Sequence, residues 1–190
     1  MNNHCWYTVK IKTENAFNPS FVIPSATEKP LEVWVYPAST VFSSEWLEYT
    51  KSLGMNFTVA KIFYRQVGCN ADKAHIDTLQ LNQPTFALNW LFSGGKGSKM
   101  VWYDVPPGEH VLTRSPSGIP FFGWPISTLT PIEEYEIGDK VTLVKTGIPH
   151  SIFSGPTERW CASAREDDDS TWDSMVQRLK ERNLLVPRDI

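Results

Sequence analysis

Proline and glycine interrupt this chain so often that no long regular element fits between them: fourteen prolines and eleven glycines are spread over 190 residues. The intervals are short and rich in Val, Ile, Thr, Phe, Tyr and Trp, which suit a pleated, half-buried surface better than a helix. Strands are expected over 57–65, 85–92, 100–105, 110–113, 141–146, 151–153 and 159–165. Two segments keep a helical period instead. Residues 43–53 place Ser43 at the N-cap, Trp46, Leu47 and Leu53 on one face, and Gly54 at the stop. Residues 171–185 space Trp172, Met175, Val176 and Leu179 at i, i+3, i+4 and i+7, with Ser170 and Asp173 as a capping box and Pro187 barring continuation. Short strands in series with flanking helices, and no alternation of strand and helix, imply a mainly β sandwich or jelly-roll barrel with the helices on one outer face. The length suits a single domain. It divides into an N-terminal strand and helix support over 1–56, the barrel over 57–166 and a C-terminal helix over 167–190.

Composition narrows the class. Hydrophobic residues make up 41% of the chain, enough for a core, so a disordered or low-complexity protein is excluded. The net charge of -3 lacks the basic surplus of a nucleic-acid-binding footprint. No apolar run approaches the roughly 18 residues of a membrane span, and the opening MNNHCWYTVKIK lacks the apolar stretch of a secretory signal. Three cysteines, Cys5, Cys69 and Cys161, fall at no C-x-x-C spacing, which fits a reducing compartment. The expectation is a cytoplasmic protein with neither a membrane nor a nucleic acid as partner, its oligomeric state open.

Three elements bear on chemistry. In His75-Ile76-Asp77, positions i and i+2 point to one side of an extended chain, so an imidazole and a carboxylate converge as a metal site requires. Alone the signal is weak, because one H-x-[DE] arises in a chain of this composition with probability roughly 0.4. His150 enters a strand from the Gly147-Ile148-Pro149 corner, where it faces a barrel interior or serves as a structural histidine. Residues 159–165 alternate strictly, with Trp160, Ala162 and Ala164 apolar and Arg159, Cys161, Ser163 and Arg165 polar. If the polar face looks inward, a buried guanidinium demands an anion; if outward, the arginines are merely solvated. Alternation does not say which.

Other features carry less. Residues 94–98, GGKGS, resemble a phosphate loop but lack its spacing and join two strands. Asp167-Asp168-Asp169 suits the start of the last helix. His4 and His110 have no partners at useful spacing, and Cys161 reads as a small buried residue. In 85–92, Phe86, Leu88, Trp90 and Phe92 form a bulky face opposite Thr85, Ala87 and Asn89. That smaller face leaves room inside a barrel, where the Asn89 amide either bonds a cosubstrate oxygen or ties a strand edge.

Two histidines and one carboxylate form a facial triad that leaves metal positions open. Taken with residues 74–77 (AHID), 86–90 (FALNW), 146–153 (TGIPHSIF) and 159–165 (RWCASAR), the pattern resembles the Fe(II)/2-oxoglutarate-dependent oxygenase superfamily. The likeness is to its small members from phages and marine bacteria, related to the aspartyl/asparaginyl and prolyl hydroxylases. The resemblance spans about residues 57–166 and implies a double-stranded β-helix, the cupin-like jelly roll, with flanking N- and C-terminal α-helices. It implies Fe(II) held by His75, Asp77 and His150, and 2-oxoglutarate as cosubstrate with its distal carboxylate on Arg159, Arg165 being the understudy. Many members have Ser two residues after this arginine; here Cys161 stands there, so a hydroxyl is expected from Tyr64, Tyr103 or Ser163. The implied activity is dioxygen-dependent hydroxylation of a small-molecule or peptidyl substrate. A non-oxidative cupin-like metal protein or isomerase is the alternative, and a structural jelly roll a third. The six prolines within 105–131 suggest a lid or rim over the metal.

Overall fold

The computed structural model describes residues 4–26, 28–70, 72–78, 81–105, 111–114, 120–166 and 170–187. In chain order the elements are β1 (Trp6–Thr8), β2 (Leu31–Pro37), α1 (Ala38–Val41), α2 (Ser44–Ser52), β3 (Val59–Arg65), β4 (Lys73–His75), β5 (Phe86–Gly94) and β6 (Lys99–Asp104). They continue with β7 (Val111–Arg114), β8 (Pro120–Pro125), β9 (Thr130–Glu136), β10 (Thr142–Lys145), β11 (His150–Phe153), β12 (Arg159–Arg165) and α3 (Trp172–Glu181). Two six-stranded antiparallel sheets result, ordered β1-β10-β5-β12-β3-β2 and β7-β8-β4-β11-β6-β9.

The pairing is nested. β3 pairs with β12, β4 with β11, β5 with β10 and β6 with β9, all antiparallel. These eight strands are one long ribbon whose successive pairs alternate between the two sheets, with β7 and β8 at its closed end. A ribbon so wound is a double-stranded β-helix, as expected.

Alternation along each strand then sorts the side chains. Ala60, Ile62, Leu88, Trp90, Ala162 and Ala164 leave the first sheet on its outer face, where Trp46 of α2 and Trp172, Met175, Val176 and Leu179 of α3 pack on them. Ala87, Leu91, Met100, Trp102, Val144 and Cys161 meet between the sheets. One side of this sandwich is sealed by Trp6 stacked on Tyr135 at 3.6 Å between ring centroids, with the Thr8 hydroxyl 3.1 Å from the Tyr135 hydroxyl. On the other side the β2–β3 edge and the β7–β8 hairpin stay apart and leave a cleft.

Both expected helices form, and Ser43 caps α2 by accepting from the Trp46 N–H. The capping box of α3 is built differently from expectation. Thr171 and Ser174 exchange the two bonds, because Thr171 is the residue with extended backbone one position before the first helical turn. α3 also ends at Glu181, short of Leu185, since Leu184 and Leu185 turn back to the sheet and Leu185 bridges Val9. Three strands, β4, β8 and β9, were not expected, and the N-terminal support over 1–56, expected to hold a strand, holds two, β1 and β2. β4 is only three residues long, and β9 (TPIEEYE) is an exposed edge with no apolar face to betray it.

Trp172 is 2% exposed and lies far from any polar cluster in the cleft. Trp172→Ala should lower unfolding stability by about 3–5 kcal/mol, read by urea denaturation, while divalent-metal affinity of the folded protein stays at the wild-type value.

Candidate metal centre and the cationic interior

His75 ends β4 and His150 begins β11, and the two are opposite one another in register. Their rings therefore face the same side, 4.5 Å apart between centroids. Asp77 follows two residues later, pinned by its N–H donating to the Thr146 carbonyl at 3.0 Å. Gly147 makes the corner before His150 possible: a Cβ there would lie 2.0 Å from the Gln83 carbonyl oxygen. His75 Nε2 lies 3.5 Å and His150 Nε2 4.0 Å from Asp77 Oδ1, and one donor atom from each residue lies within 4.8 Å of the others. First-row metal bonds of about 2.0–2.2 Å would draw such atoms together by small side-chain rotations. His150 Nδ1 is 2.8 Å from the Ile148 carbonyl, which can only accept, so the proton sits on Nδ1 and Nε2 presents its lone pair. The donor set fits a divalent ion bound on one face.

Charge and burial around the centre keep Asp77 and His150 deprotonated. Burial pushes the Asp77 carboxyl upward, but Arg165, with help from His75 and His150, outweighs it and holds the group well below the usual carboxylate range. Arg165 bonds Asp77 Oδ2 and leaves Oδ1 toward the histidines. Burial, aided by His75, lowers His150 to about 4.

The polar face of β12 looks inward. Cys161 packs among the residues between the sheets, so Arg159, Ser163 and Arg165 share that interior. Burial raises the Cys161 thiol, consistent with a packing role. Arg165 stands at the metal end, and Arg159 lies six residues along the strand, roughly 20 Å away at about 3.3 Å per residue. Arg159 is only 3% exposed and its Nε has no hydrogen-bond partner. Directly opposite it in β3 is Arg65, also buried, whose guanidinium burial and the Arg159 charge lower to about 10. Among the described residues neither guanidinium pairs with a carboxylate. Lys61, opposite Ser163, is lowered to about 8, first by burial and then by Arg165. Asn89 sits between Thr142 and Ser163 on the interior face of β5, its Oδ1 buried without a partner.

Two expected hydroxyl donors are elsewhere. Tyr64 is on the opposite face of β3, packed on Trp160 at 4.7 Å and donating to Glu158. Tyr103 lies in the small cluster behind the second sheet, 2.9 Å from the Ser151 hydroxyl. Strand parity turns both away from the barrel, which corrects their expected role as cosubstrate contacts. Ser163, fully buried, is the hydroxyl on the interior face. Sequence reasoning missed Lys61 and Arg65, although β3 carries the same signal as β12: Lys61 and Arg65 alternate with Ala60, Ile62 and Tyr64.

The remaining motifs settle simply. Gly95 N–H donates to the Glu158 carbonyl and Gly97 N–H to the Glu136 carboxylate, so residues 94–98 are a braced hairpin loop. His4 lies 3.5 Å from Glu133. Asp167, Asp168, Asp169 and His110 fall outside the described residues. Thr113, Arg114, Pro120 and Phe121, from the proline-rich stretch, line the cleft beside His75. No described helix is long and apolar enough to cross a membrane.

No protein-family profile and no curated protein matches the chain. Among solved structures, two of Bacillus subtilis oxalate decarboxylase align, one concerned with its Mn(II) centers and one of a point mutant. Both are 11% identical with a TM-score of 0.36, covering 76% and 77% of this chain and 28% of theirs. The chain thus spans less than a third of their length, and the nested strand pairing rather than this superposition defines its fold.

His150 gives the site a pH signature. The unfolded chain takes up a proton on this histidine below about pH 6.5, whereas the folded chain refuses it until about 4. Stability of the metal-free protein should therefore fall as pH drops through that window, by up to about 3 kcal/mol. Urea unfolding at pH 7 and pH 4.5 measures the loss, and His150→Gln should remove most of it.

Proposed function

We propose that the protein is a non-heme Fe(II)- and 2-oxoglutarate-dependent dioxygenase. It would hydroxylate a C–H bond of an amino-acid-like or peptidyl substrate and release succinate and CO2. The observation that carries this reading is the pair of buried guanidiniums, Arg65 and Arg159, set in register and, among the described residues, paired with no carboxylate, Arg65 donating instead to the Cys69 carbonyl and thiol. A buried cation without a counter-ion costs several kcal/mol, and two side by side cost more, so the cavity is shaped for an anion it does not itself supply. Arg65 lines the same cleft as His75 and Asp77. A diacid entering there would meet the metal at one end and the guanidinium pair at the other.

Bound by His75, Asp77 and His150, iron supplies dioxygen activation coupled to decarboxylation of the 2-oxo acid. The chain's residues do the rest. Arg165 fixes Asp77 by one oxygen so that the other faces the histidines. The Ile148 carbonyl fixes the His150 tautomer. Arg159 and Arg65 bind the distal carboxylate as charge-assisted forks. Asn89 and Ser163, adjacent in register, offer an amide and a hydroxyl to the oxygens in between. Trp102, Met100 and Leu91 keep the interior dry, which strengthens each of these contacts.

Anaerobic titrations test this directly. Arg159→Ala should raise the 2-oxoglutarate dissociation constant about 10- to 1000-fold and leave Fe(II) affinity near the wild-type value. Arg159→Lys should recover only part, because a point charge replaces a fork. If wild type and variant ignore 2-oxoglutarate alike, and oxygenated assays yield no succinate, the oxygenase reading fails and a non-oxidative metal protein takes its place.

A further inference from the structure

The cleft beside the triad has a volume of about 370 Å³, near the lower end for small-molecule sites. One wall is the inward face of β3, Lys61, Phe63 and Arg65, and the other is the β7–β8 hairpin with Thr113 and Phe121. Phe121 packs edge-on to His75 at 5.5 Å between centroids, so an aromatic surface adjoins the metal ligands. Val33 and Leu31 of β2 complete an apolar strip. Within this lining Lys61 makes no ion pair or hydrogen bond among the described residues.

Four cations face the interior from β3 and β12: Lys61, Arg65, Arg159 and Arg165. Among the described residues Arg165 is the one of these four in an ion pair, with Asp77, whose charge also acts on Lys61. On the reading above, ferrous iron, Asp77 and the diacid together carry one net negative charge against these four. Asp72, Lys73 and Arg114 also line the cleft and add one net positive charge, so positive charge is left over; with Arg65 and Arg159 given to the diacid and Arg165 to Asp77, the remaining cation on the inward strand faces is Lys61. Lys61 is half-buried, and positive charge in surplus along a cleft attracts a counter-charge; the remaining component of the reaction is the substrate. Its chemistry follows from the lining. Phosphate sites draw on helix N-termini or runs of free backbone N–H groups. This lining comes from strands and the 69–72 loop, and Lys61 stands in it beside Phe63, with Phe121 and Val33 across the cleft and Asp72, Lys73 and Arg114 also on its wall.

We infer that the substrate is a small carboxylate with an apolar or aromatic body, its carboxylate held by Lys61 and its body between Phe63 and Phe121. This deepens the dioxygenase reading and rests on it for the reaction, while the binding preference stands on the cleft alone.

The test uses the full chain loaded anaerobically with Fe(II) and saturating 2-oxoglutarate. It is titrated with 3-phenylpropanoate, 3-phenylpropanamide and phenyl phosphate and followed by calorimetry. Wild type should bind the carboxylate about tenfold or more tighter than the amide. Lys61→Ala, with Lys61→Gln as a second neutral variant, should erase that preference, and Lys61→Arg should keep it. The 2-oxoglutarate affinity of the neutral variants should stay near wild type. Equal binding of carboxylate and amide overturns the inference, as do tighter binding of phenyl phosphate and failure of all three probes at millimolar concentration. So does a loss of 2-oxoglutarate rather than probe binding in Lys61→Ala. If wild type fails to bind 2-oxoglutarate yet prefers the carboxylate through Lys61, the dioxygenase reading falls and the Lys61 assignment survives.

Discussion

The ion pair of Arg165 with Asp77 crosses the sandwich, since Arg165 ends β12 in the first sheet and Asp77 follows β4 in the second. It joins the Thr8–Tyr135 hydroxyl contact and the Trp102 indole bond to the Lys145 carbonyl as a polar tie between the two layers, and it serves two ends at once. It compensates a carboxylate that burial alone would protonate, and it decides which oxygen of that carboxylate faces the histidines. Removing either partner would leave an uncompensated buried charge, a loss of about 3–5 kcal/mol. The orientation of the Asp77 carboxylate toward the histidines therefore depends on this contact.

Around that contact the two faces of the first sheet do opposite jobs. Its outer face is a packed aromatic and aliphatic layer beneath α2 and α3, built from Trp46, Trp90, Trp172 and their neighbours. Its inner face gives core positions to Asn89, Arg159 and Ser163 and a half-buried cleft position to Lys61, groups that add nothing to hydrophobic burial. The orphaned Arg159 Nε and Asn89 Oδ1 are the local expression of this division. Stability comes from one side of the sheet and chemistry from the other.

How much of this was legible in the sequence depended on strand parity. β12 was read at its observed bounds, residues 159–165, because its alternation is unbroken and both faces are occupied. The helix faces were equally plain, since Trp172, Met175, Val176 and Leu179 repeat at helical spacing. His75, Asp77 and His150 come together as their spacing suggested. Tyr64 and Tyr103 failed as interior groups because residue type says nothing about which face of a strand is inside; each sits one position from an inward-facing neighbour. Arg65 and Lys61 escaped notice for the converse reason. Single charged residues between apolar ones look like an ordinary solvated face until the partner strand is known. Edge strands such as β9 lack a buried face altogether, so no pattern marks them.

The wound ribbon has one further consequence. Lengthening any of the four nested strand pairs by a residue would flip side chains between faces and scatter the triad or the guanidinium pair. The hairpin of β7 and β8 sits beyond the last nested pair, held through β8 to the β4 strand that ends in His75, and Phe121 and Thr113 on it border the cleft. On the dioxygenase reading, exchanging the Thr113 or Phe121 side chain would change what the cleft accepts while every strand that carries a metal ligand or a guanidinium keeps its register.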